Sequence, residues 1–131
     1  MSFILDIGTE DVPEITSVPQ GEYELKILSA ETKDSKKGDP MIALYMEVLG
    51  EATADNLNHY IMLPTDGDDE KTRVRKLNRL KEFKSCFHLP SSGPIASEDM
   101  VGATGWAILG EEESQEFGKQ NRVKRFIVGS N

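Results

Sequence analysis

One cysteine, one tryptophan and two histidines in 131 residues exclude a good deal. A lone thiol, Cys86, cannot form an internal disulfide framework and fits a reducing cytoplasm. Structural zinc normally takes four ligands; Cys86 and His88 lie two apart with no second ligand pair, so a core cysteine at a helix end is the expected role. No apolar run approaches the roughly 18–20 residues of a membrane span. The opening MSFILDIGTED lacks a basic stretch before its short apolar patch, which argues against a secretory signal. There is no Ser/His/Asp spacing and no glycine-rich phosphate loop, so neither catalysis nor a cofactor is expected.

Basic residues are scarce in one half and concentrated in the other. Residues 1–70 hold 16 acidic side chains and four lysines, net -12; residues 71–131 hold 11 basic and seven acidic ones, net +4, within a chain of net -8. Opposite signs in the two halves suit a dipolar molecule with one surface for an anion. The sharpest contrast comes near the end. An acidic segment, residues 110–117 (GEEESQEF), runs directly into a basic strand carrying Lys119, Arg122, Lys124 and Arg125.

Residues 1–20, with Pro13 and Pro19, read as an extended N-terminal arm, and residues 21–131 as one domain. Residues 22–32 alternate as a strand, with Tyr23, Leu25 and Ile27 on one face. KDSKKGDP is turn chemistry. MIALYMEVL and LNHYIML give two further strands. The period then changes to about 3.6: Val74, Leu77, Leu80, Phe83 and Phe87 form one stripe of a helix from Lys71 to about His88. The acidic run from Asp66 to Glu70 suits its N-terminus better than a calcium loop, which needs a twelve-residue pattern and a closing Glu. Ser97 caps a short helical turn. Residues 101–109 and 122–128 are the last strands, joined through an acidic loop. The expected fold is therefore all-β with one helix, a five-stranded OB-fold barrel with the helix between strands 3 and 4.

Such a barrel takes ligands across strands 2 and 3, between the loops joining strands 1–2 and 4–5. Lys33, Lys36 and Lys37 belong to the first loop; Phe117 and Lys119 belong to the second, which leads into Arg122, Lys124 and Arg125. If Ile42, Leu44, Met46 and Val48 fill the barrel, Tyr45 points out, and if Leu57, Ile61 and Leu63 do, so does Tyr60. Bases of a single strand would stack on that pair; the alternative is a Tyr45 buried beneath the arm. Trp106 shares a face with Thr104 and Ile108, and core packing is its ordinary role, stacking the other. Strand 5 has no single phase, since Val123 and Ile127 oppose Phe126 and Val128; a bulge would reconcile them. The basic helix residues, among them Arg75 and Arg79, read as a solvated face, with a secondary phosphate path as the alternative.

GEYELKILSAETKDSKKGDPMIALYMEV, HYIMLP before a charged helix, and DMVGATGWAILGEEESQEFGKQNRVKRFI together resemble small phage-encoded OB-fold single-stranded-DNA-binding proteins of replication modules, and a related phage family of unknown function. The resemblance covers about residues 15–128. It implies a non-sequence-specific single-stranded-DNA binder in phage DNA replication or recombination, located in the host cytoplasm. Phage or host replication proteins and a second copy of the chain are further expected partners. Many such proteins end in an acidic tail, whereas this sequence ends FIVGSN. Two rivals stand beside this reading: a non-catalytic protein-interaction or virion module on the same barrel, and a small nuclease using Asp66, Asp68 and Asp69.

Overall fold

The computed structural model describes residues 2–116 and 118–128. Its elements are β1 (Gly21–Asp34), β2 (Pro40–Val48), β3 (Leu57–Met62), α1 (Glu70–Cys86), α2 (Ser97–Met100), β4 (Thr104–Ser114) and β5 (Gly118–Phe126). The five strands form one antiparallel sheet in the order β3-β2-β1-β4-β5. The sheet is not closed. Its two edges nevertheless approach, for the His59 ring of β3 stands edge-on to Phe126 of β5 with centroids 5.1 Å apart.

Alternation along the strands decides which face is buried. Leu25 and Ile27 of β1, Ile42, Leu44, Met46 and Val48 of β2, Leu57 and Ile61 of β3, and Ala107 and Leu109 of β4 fill one continuous core. β1 is long enough to serve two neighbours. It pairs with β4 over residues 21–26 and with β2 from Leu25 onward, and a bulge between Ile27 and Ser29 bends it from one partner to the other.

α1 starts where the acidic run predicts. Asp69 is the N-cap, its carboxylate accepting the Thr72 N–H at 2.7 Å. Asp68 holds the preceding loop by accepting from Thr65 N and from Lys76 Nζ at 2.9 Å. The apolar stripe packs only in the second half of the helix. Phe83 and Phe87 lie against Phe126 at 5.9 and 5.5 Å, whereas Val74 and Leu77 remain 49% and 42% exposed. The helix end approaches β4 so closely that a Cβ on Gly105 would lie 2.6 Å from the Cys86 carbonyl oxygen, and only glycine fits there. Cys86 is buried and donates to the Trp106 carbonyl; burial pushes its thiol up to about 11, so it is an inert core residue. α2 is capped by Ala96 rather than Ser97, with the Asp99 carboxylate accepting the Ala96 N–H.

The expected acidic loop is mostly strand. Residues 111–114 belong to β4, which runs on to Ser114, and Gly118 at φ 68° supplies the left-handed residue where β5 begins. Cross-strand charge explains the extension: Glu113 stands opposite Lys119, and Glu112 meets Arg122 at 2.7 Å. The phase conflict in β5 is resolved by a bulge. Ile108 pairs with Arg125 and Leu109 with Val123, leaving Lys124 as the extra residue. This lets both Val123 and Phe126 reach the core.

Most of the arm is exposed, Phe3, Ile4, Leu5 and Ile7 strongly so. Its last residues differ. Thr16 bridges to Ala54 beside β3, and Val18 is buried. Asn121 of β5 grips the Val18 peptide from both sides, accepting its N–H and donating to its C=O, each at 2.8 Å.

Candidate nucleic-acid interface

Tyr45 and Tyr60 both point outward. Ile42, Leu44 and Met46 take the inner positions of β2 and Leu57 and Ile61 those of β3, which leaves Tyr45 39% and Tyr60 47% exposed. Tyr60 pairs in register with Ala43, two residues from Tyr45, so the rings are diagonal neighbours on adjacent strands. The arm does not bury Tyr45; its hydroxyl accepts from Asn56 Nδ2 at 3.2 Å. Lys33, at the outer end of β1, holds its Nζ 5.2 Å from the centre of the Tyr60 ring. Lys36 and Lys37 are exposed in the β1–β2 turn beyond it. Trp106 is 51% exposed and not in the core, but it does not join this platform. It lies on β4, two strands from β2, opposite Glu24. Phe117 lies outside the described residues.

The seam between β3 and β5 carries two clefts that share His59, Tyr60 and Val123. The first, of about 760 Å³, lies toward the arm, and Ser17, Asp55, Glu112, Lys119 and Arg122 contribute to its walls. Positive charge there is largely matched from within: Arg122 is bound to Glu112, and Lys119 faces Glu113 across the hairpin. The second, of about 450 Å³, lies between α1 and the strand edges, with Arg75 and Arg79 on one wall and Lys124 and Arg125 on the other. Among the described residues no ion pair holds any of those four. Lys124 makes only a 3.4 Å contact to Gln20 Oε1, while its stem covers Gly110.

The seven basic residues expected to flank one groove are thus divided. Lys33, Lys36 and Lys37 lie toward the Met62 end of β3, where Leu63 N donates to Pro40 O. Arg125 opens toward that end too, Lys124 reaches Gln20 across Gly110, and Lys119 and Arg122 face the opposite end. The helix residues Arg75 and Arg79, read from sequence as a solvated face, complete the second cleft. Their four-residue spacing placed them on one helix face, but nothing local said that β5 stood across from it. His59, between the clefts, was also missed. Burial lowers its pKa to about 4, assisted by the positive charges of Arg122 and Arg79, so it is neutral at physiological pH.

The acidic run at the start of α1 is committed to structure: hydrogen bonds to the loop and helix backbone hold the Asp68 and Asp69 carboxyls below their ordinary range. Among the described residues no three His, Cys, Asp or Glu side chains converge as a metal site, and no helix is long and apolar enough to cross a membrane. No curated protein matches the sequence. A family model does match, over residues 5–104, which span β1 to β3, both helices and the first residue of β4, and by that match the chain belongs to a protein family of unknown function (DUF669).

Proposed function

We propose that this protein binds single-stranded DNA without sequence preference, on an OB-type barrel, in phage DNA replication or recombination and without catalysis. The strand order supports the fold: β1 contributes to both halves of the sheet, edges β3 and β5 approach, and the connection from β3 to β4 carries α1. The observation that carries the function is the outward Tyr45–Tyr60 pair with Lys33 against its edge. Two flat rings on adjacent strands offer stacking surfaces that accept any base, and the neighbouring lysines answer the phosphates. The net charge of -8 keeps such binding local to the cationic end of the seam and sensitive to salt.

Titration with oligo-dT across a salt series tests this. Replacing Tyr45 or Tyr60 by Ala is expected to cost roughly 1–3 kcal/mol each. Binding by the double variant equal to that of the parent removes the proposal. A second reading, a protein-interaction or virion module, is favoured by one observation: the apolar Phe3, Ile4, Leu5 and Ile7 of the arm are all strongly exposed. No oligo-dT binding at micromolar protein and low salt supports that reading over the first. Phage or host replication proteins, and a second copy of the chain, are the partners to test against the arm.

A further inference from the structure

We infer that the cleft between α1 and the β3/β5 edges is a phosphate-binding site that carries a bound single strand off the outer face of the sheet and past Tyr60. This rests on the proposed function and adds a part of the path that the outer face alone does not provide. Arg75 and Arg79 on one wall and Arg125 on the other face a shared space of about 450 Å³; Lys124 borders it too, but its stem lies over Gly110 and its Nζ reaches Gln20 Oε1 at 3.4 Å, outside the cleft. Two elements distant in sequence therefore present three unpaired cations to one volume, in a chain whose overall charge is -8. The two other charges in the lining are Lys76, which Asp68 neutralises at 2.9 Å, and Glu82. With Glu82 the one unpaired acid among them, the like charges still repel one another, and a ligand with closely spaced anionic groups relieves that repulsion. All three are arginines, whose planar fork fits two phosphate oxygens at once.

Continuity supplies the second argument. Tyr60 belongs both to the outer platform and to the wall of this cleft, and Lys33 sits against its ring. A strand stacked on Tyr60 therefore has its next phosphates at the mouth of the cleft. Repulsion is already felt at the cleft's inner wall: Arg79 is one of the charges that hold His59 neutral.

The test compares two double variants of the full chain. Arg75→Gln with Arg79→Gln removes two cleft cations, and Arg73→Gln with Lys81→Gln removes two that do not line it. All four side chains are exposed on the helix, so both proteins are expected to fold. With oligo-dT, the cleft variant is expected to lose at least about tenfold in affinity and to flatten the salt slope by roughly 1.4, two contacts at about 0.7 each. The control pair is expected to change the slope by far less. A titration of His59 by NMR adds an independent readout, since strand phosphates in the cleft raise its pKa. Equal slopes for the two variants, with an unmoved His59, overturn the inference; if Tyr60→Ala still weakens binding, the proposed function survives that result. Absence of any binding by the parent overturns both.

Discussion

The two ends of the β3–β5 seam use the same residue types to opposite ends. Toward the arm, Arg122 lies on Glu112, Lys119 faces Glu113, and Asn121 clamps Val18, so charges and polar groups are satisfied from within the fold. Toward α1, Arg75, Arg79, Lys124 and Arg125 line one cleft without an ion pair among the described residues. The first arrangement is what a sheet needs to hold its edges together without closing. The second leaves its cations to the anionic ligand proposed for it. Basic side chains on one short strand thus divide into those with an acidic partner and those without one among the described residues.

Removing the clamp is the most damaging way to break that contrast. Asn121 makes three hydrogen bonds, two to Val18 and one to Gly110 O at 3.1 Å. Asn121→Ala strands the peptide N–H and C=O of a buried residue, and each uncompensated group costs about 1–3 kcal/mol. The expected loss is about 2–4 kcal/mol in urea-induced unfolding, with the arm freed from the seam. An unchanged midpoint means that the arm is not part of the folded unit and that the strapped end is not held as described.

Much of this fold was legible because local pattern and tertiary environment agreed. Alternation in β2 and β3 placed Tyr45 and Tyr60 outside, and the opposed apolar residues of β5 required the bulge that leaves out Lys124. Elsewhere the decisive partner was distant in sequence. Glu111 to Ser114 look like a turn until Lys119 and Arg122 pair with them as a strand. Val74 and Leu77 fit a buried stripe, yet only the second half of α1 reaches Phe126. Arg75 and Arg79 differ in no local respect from a solvated helix face; Lys124 and Arg125 across the cleft make them a candidate site.

His59 marks the boundary between the two ends and gives the next effect in size. Its pKa is about 4 in the folded protein and about 6.5 when unfolded, owing first to burial and then to Arg122 of β5 and Arg79 of α1. Between those values the unfolded chain binds a proton that the folded chain does not. Stability is therefore full above about pH 6.5 and is lost as pH falls toward 4, by up to about 3 kcal/mol. His59→Gln is expected to remove that slope from denaturation midpoints measured between pH 7 and 4. A slope that persists in the variant assigns the acid sensitivity to other groups and leaves the seam without a charge-sensing residue.

The smallest change converts one end into the other. Glu112→Gln leaves Arg122 without its partner, so the strapped cleft gains a free cation like those beside α1. Both side chains of the pair are more than half exposed, and pairs of that kind contribute at most about 1 kcal/mol, so stability is expected to change little. Binding is the sensitive readout. Released from Glu112, Arg122 becomes available to a phosphate, and the oligo-dT salt slope is expected to steepen by up to about 0.7, with affinity a few-fold tighter at low salt. An unchanged slope places Arg122 off the strand's path and confines the receptive charge to the α1 cleft. A steeper slope shows that the two ends differ only in where their counter-charges come from: Glu112 at one, the ligand at the other.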